Sequence, residues 1–384
     1  MSKLVIRPVI TGTDRKRFVD LVWDVYRDDP AWVPPLKGEM LGLITPGKNP
    51  WFEHADAAFW LAEREGKPVG RISAQVDRLV LEEMGAGTGQ WGMYEVLDDE
   101  TEAGPALIAA AEDWLRARGM TRALGPFSLS VWDEPGVLVQ GFDQPPTAMM
   151  GHHRPTYAPA IEVAGYAKAK DLYTYELDIR VDLGPLVNRL VEAGHRSKRI
   201  RMRQVNKRHF DTEARTILNL LNDAWSDNWG YVPLTEAEIS YAGKKLKPVI
   251  YEDLVYVCFV LEDDEWHPAA FMITLPDVNE LTADLDGRLF PFGFAKLLWR
   301  LRKPRVKRMR VPLMGVAKRF QGGRLASQLA FMMIDRSRRK SVEVYGATHG
   351  EFGWVLDDNQ GMMSIAQLPG AAINKVYRIF EKAL

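Results

Sequence analysis

The chain is nearly devoid of cysteine: Cys258 is the single one in 384 residues. One thiol cannot build a disulfide framework within a chain, and its place in the apolar run LVYVCFV reads as a buried structural position. Both features fit a reducing cytoplasm. No apolar run approaches the roughly 20 residues that span a bilayer. The start, MSKLVIRPV, has no signal-peptide core. Charge of one sign is not in excess: the net charge of −1 gives no bias toward nucleic acid, which is not expected as a partner. Metal-ligand spacing is missing as well. His152-His153 has no second pair at zinc spacing, and adjacent side chains diverge on strand or helix, so no metal is expected. There is no G-x-S-x-G elbow, which excludes an ordinary serine hydrolase. Neither a Walker loop nor a Rossmann fingerprint occurs, because Gly322-Gly323 has the wrong spacing for both.

What is present points to a globular protein of more than one domain, with 46% hydrophobic and 26% charged residues. The most informative stretch is Arg310 to Ile334, RVPLMGVAKRFQGGRLASQLAFMMI. It reads as an apolar strand ending at Gly315-Val316, then a basic turn, then a helix from Leu325 with Leu329, Met332 and Met333 on one face. Consecutive glycines at a helix start expose backbone N–H groups, and the macrodipole adds positive potential. Lys318, Arg319 and Arg324 flank the turn, so the site suits a pyrophosphate.

A weak internal repeat organises the whole chain. Leu4 to Arg7 reads as a strand, followed by a helix from Thr13-Asp14 and then Trp32-Val33-Pro34-Pro35-Leu36. About 200 residues later the same order returns: a strand at Ile200 to Val205, a helix capped near Asp211-Thr212, then Trp229-Gly230-Tyr231-Val232-Pro233-Leu234. Hairpins follow in both copies, Phe59–Glu63 with Val69–Val76 and Leu254–Leu261 with Ala269–Leu275. Each copy then has a strand leading into a helix, 90–96 into 105–118 and 306–316 into 325–338. A fifth strand is expected at 122–124 and at 342–345, and a last strand at 172–179 and 375–380. A period this long indicates duplication rather than a solenoid. The expected boundary lies between Val181 and Lys198, dividing the chain into residues 1–185 and 186–384. Asp98, Asp99, Glu100 and Glu102 precede the helix of the first copy, where they would repel a pyrophosphate. Only the second copy is therefore expected to hold the cofactor, with the first shaping the acceptor side.

The turn resembles the acyl-CoA pyrophosphate loop of the GNAT acyltransferase superfamily, Q/R-x-x-G-x-G/A, with Gln321, Arg324 and Ala326 at its first, fourth and sixth places. Arg324 replaces the usual glycine. The order of elements also resembles a GNAT domain, repeated over nearly all of the chain. The resemblance implies an α/β (α+β) fold of two tandem GNAT-like domains, each a mixed, mainly antiparallel sheet flanked by helices. It implies acyl-CoA as co-substrate, held by Gly315, Val316, Arg319, Gln321, Gly322, Gly323, Arg324, Leu325, Ala326 and Ser327. The superfamily's helix pattern after the fifth strand, begun at Asn359, puts Ala366 where a tyrosine often protonates the departing thiolate. Tyr345 and Tyr377 are the possible substitutes.

An amine must lose a proton before it attacks a thioester, and a nearby carboxylate or histidine can take it. Glu351 is the expected base, with His349 as rival and Asn359 close by. The first copy offers Glu95, on the strand where many GNAT proteins keep a carboxylate. It also offers Ser128, Trp132, Asp133 and Glu134, and the segment His152 to Tyr157.

Leu289 to Arg310 crowds Phe290, Phe292, Phe294, Leu297, Leu298, Trp299 and Leu301, and from Lys296 to Arg310 it carries eight cations and no acid. Aromatic residues beside cations suit a membrane interface, a lid or an acyl channel. Location is expected to be cytoplasmic, with peripheral contact on the inner membrane face open. Trp32-Val33-Pro34-Pro35, Lys48-Asn49-Pro50-Trp51-Phe52, Gly70-Arg71-Ile72, Gly136 to Asp143, Gly353 to Asn359 and Lys375 to Lys382 together resemble the bacterial ceramide synthases. That narrower resemblance implies acyl transfer from CoA to the amine of a sphingoid base. Two other readings stand beside it: an acetyltransferase for a small amine, peptide or protein, and a non-catalytic acyl-CoA-binding regulator.

Overall fold

The computed structural model describes residues 2–384. Its first half runs β1 (Leu4–Pro8), α1 (Gly12–Val25), α2 (Lys37–Leu43), β2 (Ala55–Arg64), β3 (Lys67–Asp77), α3 (Arg78–Met84), β4 (Thr88–Val96), α4 (Ala103–Arg116), β5 (Arg122–Gly125), β6 (Val137–Gln140), α5 (Tyr157–Val163) and β7 (Ala167–Asp178). The second half runs α6 (Pro185–Arg196), β8 (Ile200–Gln204), α7 (Phe210–Trp225), α8 (Glu236–Leu246), β9 (Val255–Glu262), β10 (Glu265–Pro276), α9 (Val278–Thr282), α10 (Gly293–Arg302), β11 (Arg308–Val316), α11 (Arg324–Lys340), β12 (His349–Leu356), α12 (Gln360–Gln367) and β13 (Ala372–Ala383).

All strands join one 13-stranded sheet, ordered β1-β2-β3-β4-β5-β13-β7-β12-β11-β10-β9-β8, with β6 on β13. The repeat is visible in that order. Strands β1 to β5 run in from one edge and β8 to β12 from the other. The two halves exchange their last strands: β13 pairs with β5 of the first half, and β7 pairs with β12 of the second. β7 and β13 pair antiparallel at the centre. Only β4–β5 and β11–β12 are parallel, so each half is a mixed, mainly antiparallel sheet.

Local chemistry explains the helix starts. Thr11 and Asp14 form a capping box at α1, and Thr235 and Glu238 form one at α8. The Trp-Val-Pro segments lead into α2 and α8 in the two copies. Helix α4 buries Leu107, Ile108, Ala111 and Leu115 against Ile72, Ala74 and Trp91. Helices α7 and α11 bury Ile217, Leu220, Leu221, Leu329 and Met333 against β9 and β10. Each fully buried Leu or Ile contributes about 1.5–3 kcal/mol.

One expected element is wrong. Residues 342–345 are not a strand but part of a π-helical turn, Ser341–Tyr345, that prolongs α11. The Val-Glu-Val-Tyr alternation looks like a strand. Helix continuation wins because Ser341 Oγ donates to Ser337 O and Tyr345 is buried, its hydroxyl donating to Asp253 at 2.6 Å. Gly346, at φ 73°, then ends the helix. The parallel neighbour of β11 is the next segment, β12.

Candidate active site

β11 and β12 pair only from Arg308–Val311 to His349–Phe352, and then part. Both strands carry an extra residue at that point. β11 is bulged against β10 between Leu313 and Arg310, where Pro312 has no N–H for the ladder. β12 is bulged against β7 between Phe352 and Val355. The parted ends open into a cleft of about 750 Å³ between the C-terminal end of α7 and the N-terminal ends of α11 and α12.

The basic turn lies at one wall of this cleft. Gly322 has φ 76°, a conformation that costs a side-chain-bearing residue strain. Gly323 is the N-cap of α11 and supplies no side-chain cap. The first helical bond runs from the Ser327 N–H to Gly323 O, which leaves the N–H groups of Arg324, Leu325 and Ala326 without helical partners. A Cβ on Gly322 or Gly323 would meet nothing within 4 Å, so the space ahead of the helix is open. Gln321 Nε2 donates to Val316 O at 2.7 Å and fastens the turn to β11. Lys318 pairs with Asp227 at 2.6 Å, and Arg319 lies 3.7 Å from Glu262. Arg324 is exposed and has no carboxylate partner among the described residues. Helix dipole, free N–H groups and an unpaired guanidinium together make an anion seat. Gly315, Val316, Gln321, Gly322, Gly323, Arg324, Ala326 and Ser327 line the cleft, whereas Arg319 and Leu325 do not. Leu325 packs on the core and Arg319 lies over the Phe320 ring.

A second space, about 340 Å³, lies between the sheet and helices α7 and α8. Its walls are apolar: Phe210, Ile217, Leu218, Leu221 and Leu246 among them. The first half closes it with Trp51, Trp132, Asp133 and Met149. Leu313 faces this chamber and its neighbour Met314 faces the cleft, as alternate strand residues do. A small void of about 50 Å³ lies between the two spaces, bounded by Trp225, Trp229 and Leu356 from the cleft and by Trp132 and Trp354 from the chamber. Trp132 stacks on Trp225 with centroids 6.0 Å apart. Their indole N–H groups donate to Val232 O and Met314 O, each at 3.0 Å, so both rings are held in place.

The expected catalytic residues do not gather here, with one exception. Asn359 lines the cleft, and its Oδ1 caps α12 by accepting the Met362 N–H at 3.0 Å. Glu351 is fully buried. It accepts from Thr147 Oγ1 at 2.5 Å, Lys375 Nζ at 2.7 Å and Asn374 Nδ2 at 2.7 Å, with Arg310 at 3.6 Å. Burial pushes its carboxyl up, but Lys375 and Arg310 outweigh that and hold it below its ordinary value. It borders a separate apolar void, not the cleft. His349 begins β12 and lies roughly 23 Å along the strand from Leu356 at the cleft. Tyr377 is buried, donates to Gly151 O at 2.9 Å, and has its hydroxyl pushed far above the ordinary range by burial.

Glu95 occupies a closed polar pocket of the first half. It accepts from Tyr26 at 2.8 Å and Tyr157 at 2.9 Å, with Arg71 at 3.7 Å, and burial raises its carboxyl to about 7. None of the residues around it lines the cleft or the chamber.

Asp133 faces the chamber, next to Trp132; Glu213 and Glu238 line it too, but Glu213 is paired with Arg203 and Glu238 is held in the capping box of α8. Asp133 accepts from Ser130 Oγ at 2.8 Å, and burial raises it to about 7. The sequence offers it only within the group Ser128, Trp132, Asp133 and Glu134, with no role singled out. Trp225 carries no sequence signal beyond its place at the end of a helix. No group of three or more metal-binding side chains is present among the described residues.

No protein-family model matches the chain. It is 44% identical to the bacterial ceramide synthase of Caulobacter vibrioides (strain NA1000 / CB15N), covering 100% of this chain and 98% of that protein. It is 38% identical to protein YghO of Escherichia coli (strain K12), covering 99% and 95%. Among solved structures, the fold is similar to a tandem GNAT protein from the clavulanic acid biosynthesis pathway, with TM-score 0.57 and 15% identity over 99% of this chain and 98% of that one. A GCN5-related N-acetyltransferase from Sphaerobacter thermophilus gives TM-score 0.54 at 13% identity, covering 99% and 95%.

Proposed function

The chain belongs to the bacterial ceramide synthase family and is an acyltransferase of tandem GNAT fold; on that premise we propose that it transfers a fatty acyl group from CoA to the amine of a long-chain, sphingoid-type base. The observation that carries this reading is the apolar chamber placed against the parted strands. A cofactor cleft alone would suit any acyl-CoA enzyme. An adjoining apolar space, with Leu313 and Trp354 in its wall, suits a substrate with an alkyl chain.

In this reading the pyrophosphate rests on the N-terminus of α11, with Arg324 as its cationic partner. The pantetheine lies in the cleft, and its thioester lies where β11 and β12 part. Backbone N–H groups released from the ladder are available there to the carbonyl oxygen. The amine enters from the chamber side, loses its proton to Asp133, and attacks the carbonyl carbon. Collapse of the tetrahedral intermediate releases CoA thiolate and leaves the amide. Residues 1–185 then form the acceptor side and residues 186–384 hold acyl-CoA. We assign Glu351 a positioning role, since its carboxylate is already committed to Lys375 and Arg310.

The test is thiol release from palmitoyl-CoA with different amines. A long-chain base should accelerate release at least tenfold over a short soluble amine at equal concentration. Equal rates would favour the small-amine reading. Binding of CoA with no release from any amine would favour the non-catalytic reading.

A further inference from the structure

All the exposed phenylalanine and tryptophan side chains among the described residues lie on one excursion of the chain between α9 and β11. Phe290 is 84% exposed, Phe292 80%, Phe294 52% and Trp299 72%, with Leu298 beside them at 48%. Contiguous exposed apolar surface of this kind marks an interaction site. The excursion is held firmly from beneath. Leu297 and Leu301 of α10 pack on the cluster of Leu281, Val306 and Tyr345. Asp284 binds both Lys296 and Arg300, the latter at 2.6 Å, and Tyr251 donates to Leu301 O at 2.6 Å. One edge of α10 is thus fixed, and the aromatic edge stands out from the protein.

The charge beside that edge selects the partner. Arg302, Lys303, Arg305 and Lys307 are exposed, and none has a carboxylate partner among the described residues. A second copy docked face to face would bring these cations together, which opposes self-association. We propose that the Phe290–Trp299 excursion docks the protein on an anionic lipid surface, its aromatic side chains entering the interface and the adjacent cations meeting lipid phosphates. Phenylalanine and tryptophan at a membrane–water boundary beside unpaired Lys and Arg match the composition of interfacial anchors. No helix among the described residues is long and apolar enough to cross a membrane, so such contact would be peripheral.

The location gives docking a purpose, which rests on the function proposed above. Gly287, at the base of the excursion, accepts the Lys37 N–H at 3.0 Å, and the helix begun there ends at Leu43 in the chamber wall. On the other side, α9 holds the 146–149 loop through Asn279 to Pro146 O at 2.8 Å and Asp277 to the Ala148 N–H at 2.9 Å. That loop ends at Met149, which is both exposed and part of the chamber lining. The excursion is thus tied on both sides to segments that end in the chamber wall, at Leu43 and Met149.

Co-sedimentation with vesicles of phosphatidylcholine, with and without phosphatidylglycerol, tests the proposal on the full chain. Binding is expected only with the anionic lipid, weaker at 0.5 M than at 0.05 M salt. Phe292→Ser with Trp299→Ser should reduce it at least tenfold, and Arg302→Glu with Lys303→Glu should reduce it most at low salt. Melting temperature and CoA affinity should stay unchanged in both variants, which excludes misfolding. Wild type left in the supernatant with anionic vesicles at low salt would overturn the proposal. So would undiminished binding by the Phe292/Trp299 variant. Binding to soluble polyglutamate in place of vesicles would reassign the patch to an acidic protein. Acylation of a detergent-dispersed base separates the two claims. If it proceeds while vesicle binding fails, docking is wrong and the function stands. If vesicle binding holds while no amine is acylated, the reverse follows.

Discussion

Each half of the chain contains a bulged strand that parts from a parallel neighbour, and the two gaps have opposite fates. In the second half β11 and β12 separate after Val311 and Phe352, and the space stays open. In the first half β4 and β5 pair only as far as Gln90 and Leu124, and β4 is bulged against β3 in the same way. There the chain turns back into the gap. The Phe127 N–H donates to Trp91 O at 2.8 Å, and a Cβ on Gly92 would fall 1.7 Å from Phe127 O. The helix starts differ to match. α11 begins at open space, whereas a Cβ on Gly104 in the first turn of α4 would strike the Tyr94 hydroxyl at 2.4 Å. The filled half has become wall. Its 126–133 segment delivers Trp132 and Asp133 to the chamber that both halves line.

The largest test of that division contrasts two carboxylates, the part-buried Asp133 and the fully buried Glu351. Asp133→Asn should lower kcat about 10²–10⁴-fold, the usual loss for a general base, with CoA affinity unchanged. A base must be unprotonated to act. With Asp133 raised to about 7, wild-type kcat should rise as pH increases through about 7 and then level off, a profile the variant should lose. Glu351→Gln should do something else. It leaves Arg310 and Lys375 buried without their counter-charge, which typically costs about 3–5 kcal/mol of stability. Because the folded carboxyl lies below its ordinary value, its contribution is complete above that value and is lost as pH falls through the folded one. Thermal melts and initial rates on both variants would separate the roles. A stable Glu351→Gln protein with collapsed turnover, beside a normal Asp133→Asn enzyme, would reverse the assignment.

The duplication and the turn before α11 were readable in the sequence because both depend on local signals: capping residues, hairpin turns and paired glycines. The exchange of β7 and β13 was not, since nothing local in either strand says which half it will pair with. The π-helical turn at Ser341–Tyr345 escaped because a Val-Glu-Val-Tyr alternation carries strand propensity that tertiary packing overrides. Glu351 looked catalytic for a related reason. It stands two residues from His349 in a polar and aromatic stretch, and only its distant partners Thr147, Arg310 and Lys375 reveal it as an interior ion cluster. The chamber is assembled from both halves, so no contiguous motif could announce it.

A smaller effect sharpens the cofactor side of the comparison. Arg324→Glu removes a charge-assisted phosphate contact, about 1.5–3 kcal/mol, and puts an acid where the first half already has them. CoA affinity measured by calorimetry should fall about 100-fold. Stoichiometry in the wild type should be one CoA per chain. Glu100→Gln with Glu102→Gln should leave it at one, because Phe127 and not charge alone closes the first gap. A second binding event in that double variant would break the comparison at its base.

The smallest expected effect concerns the turn itself. Gly322 holds φ 76° with open space where a side chain would stand. Gly322→Ala therefore meets no clash and suffers only the left-handed backbone strain, about 1 kcal/mol. If bound CoA requires the same backbone, the penalty falls on folding and not on binding. The melting temperature should drop by a few degrees at most, while CoA affinity stays within about threefold of wild type. A loss of affinity beyond tenfold with an unchanged melt would mean that the turn rearranges on binding, and that the N–H groups ahead of α11 are not already set for the pyrophosphate.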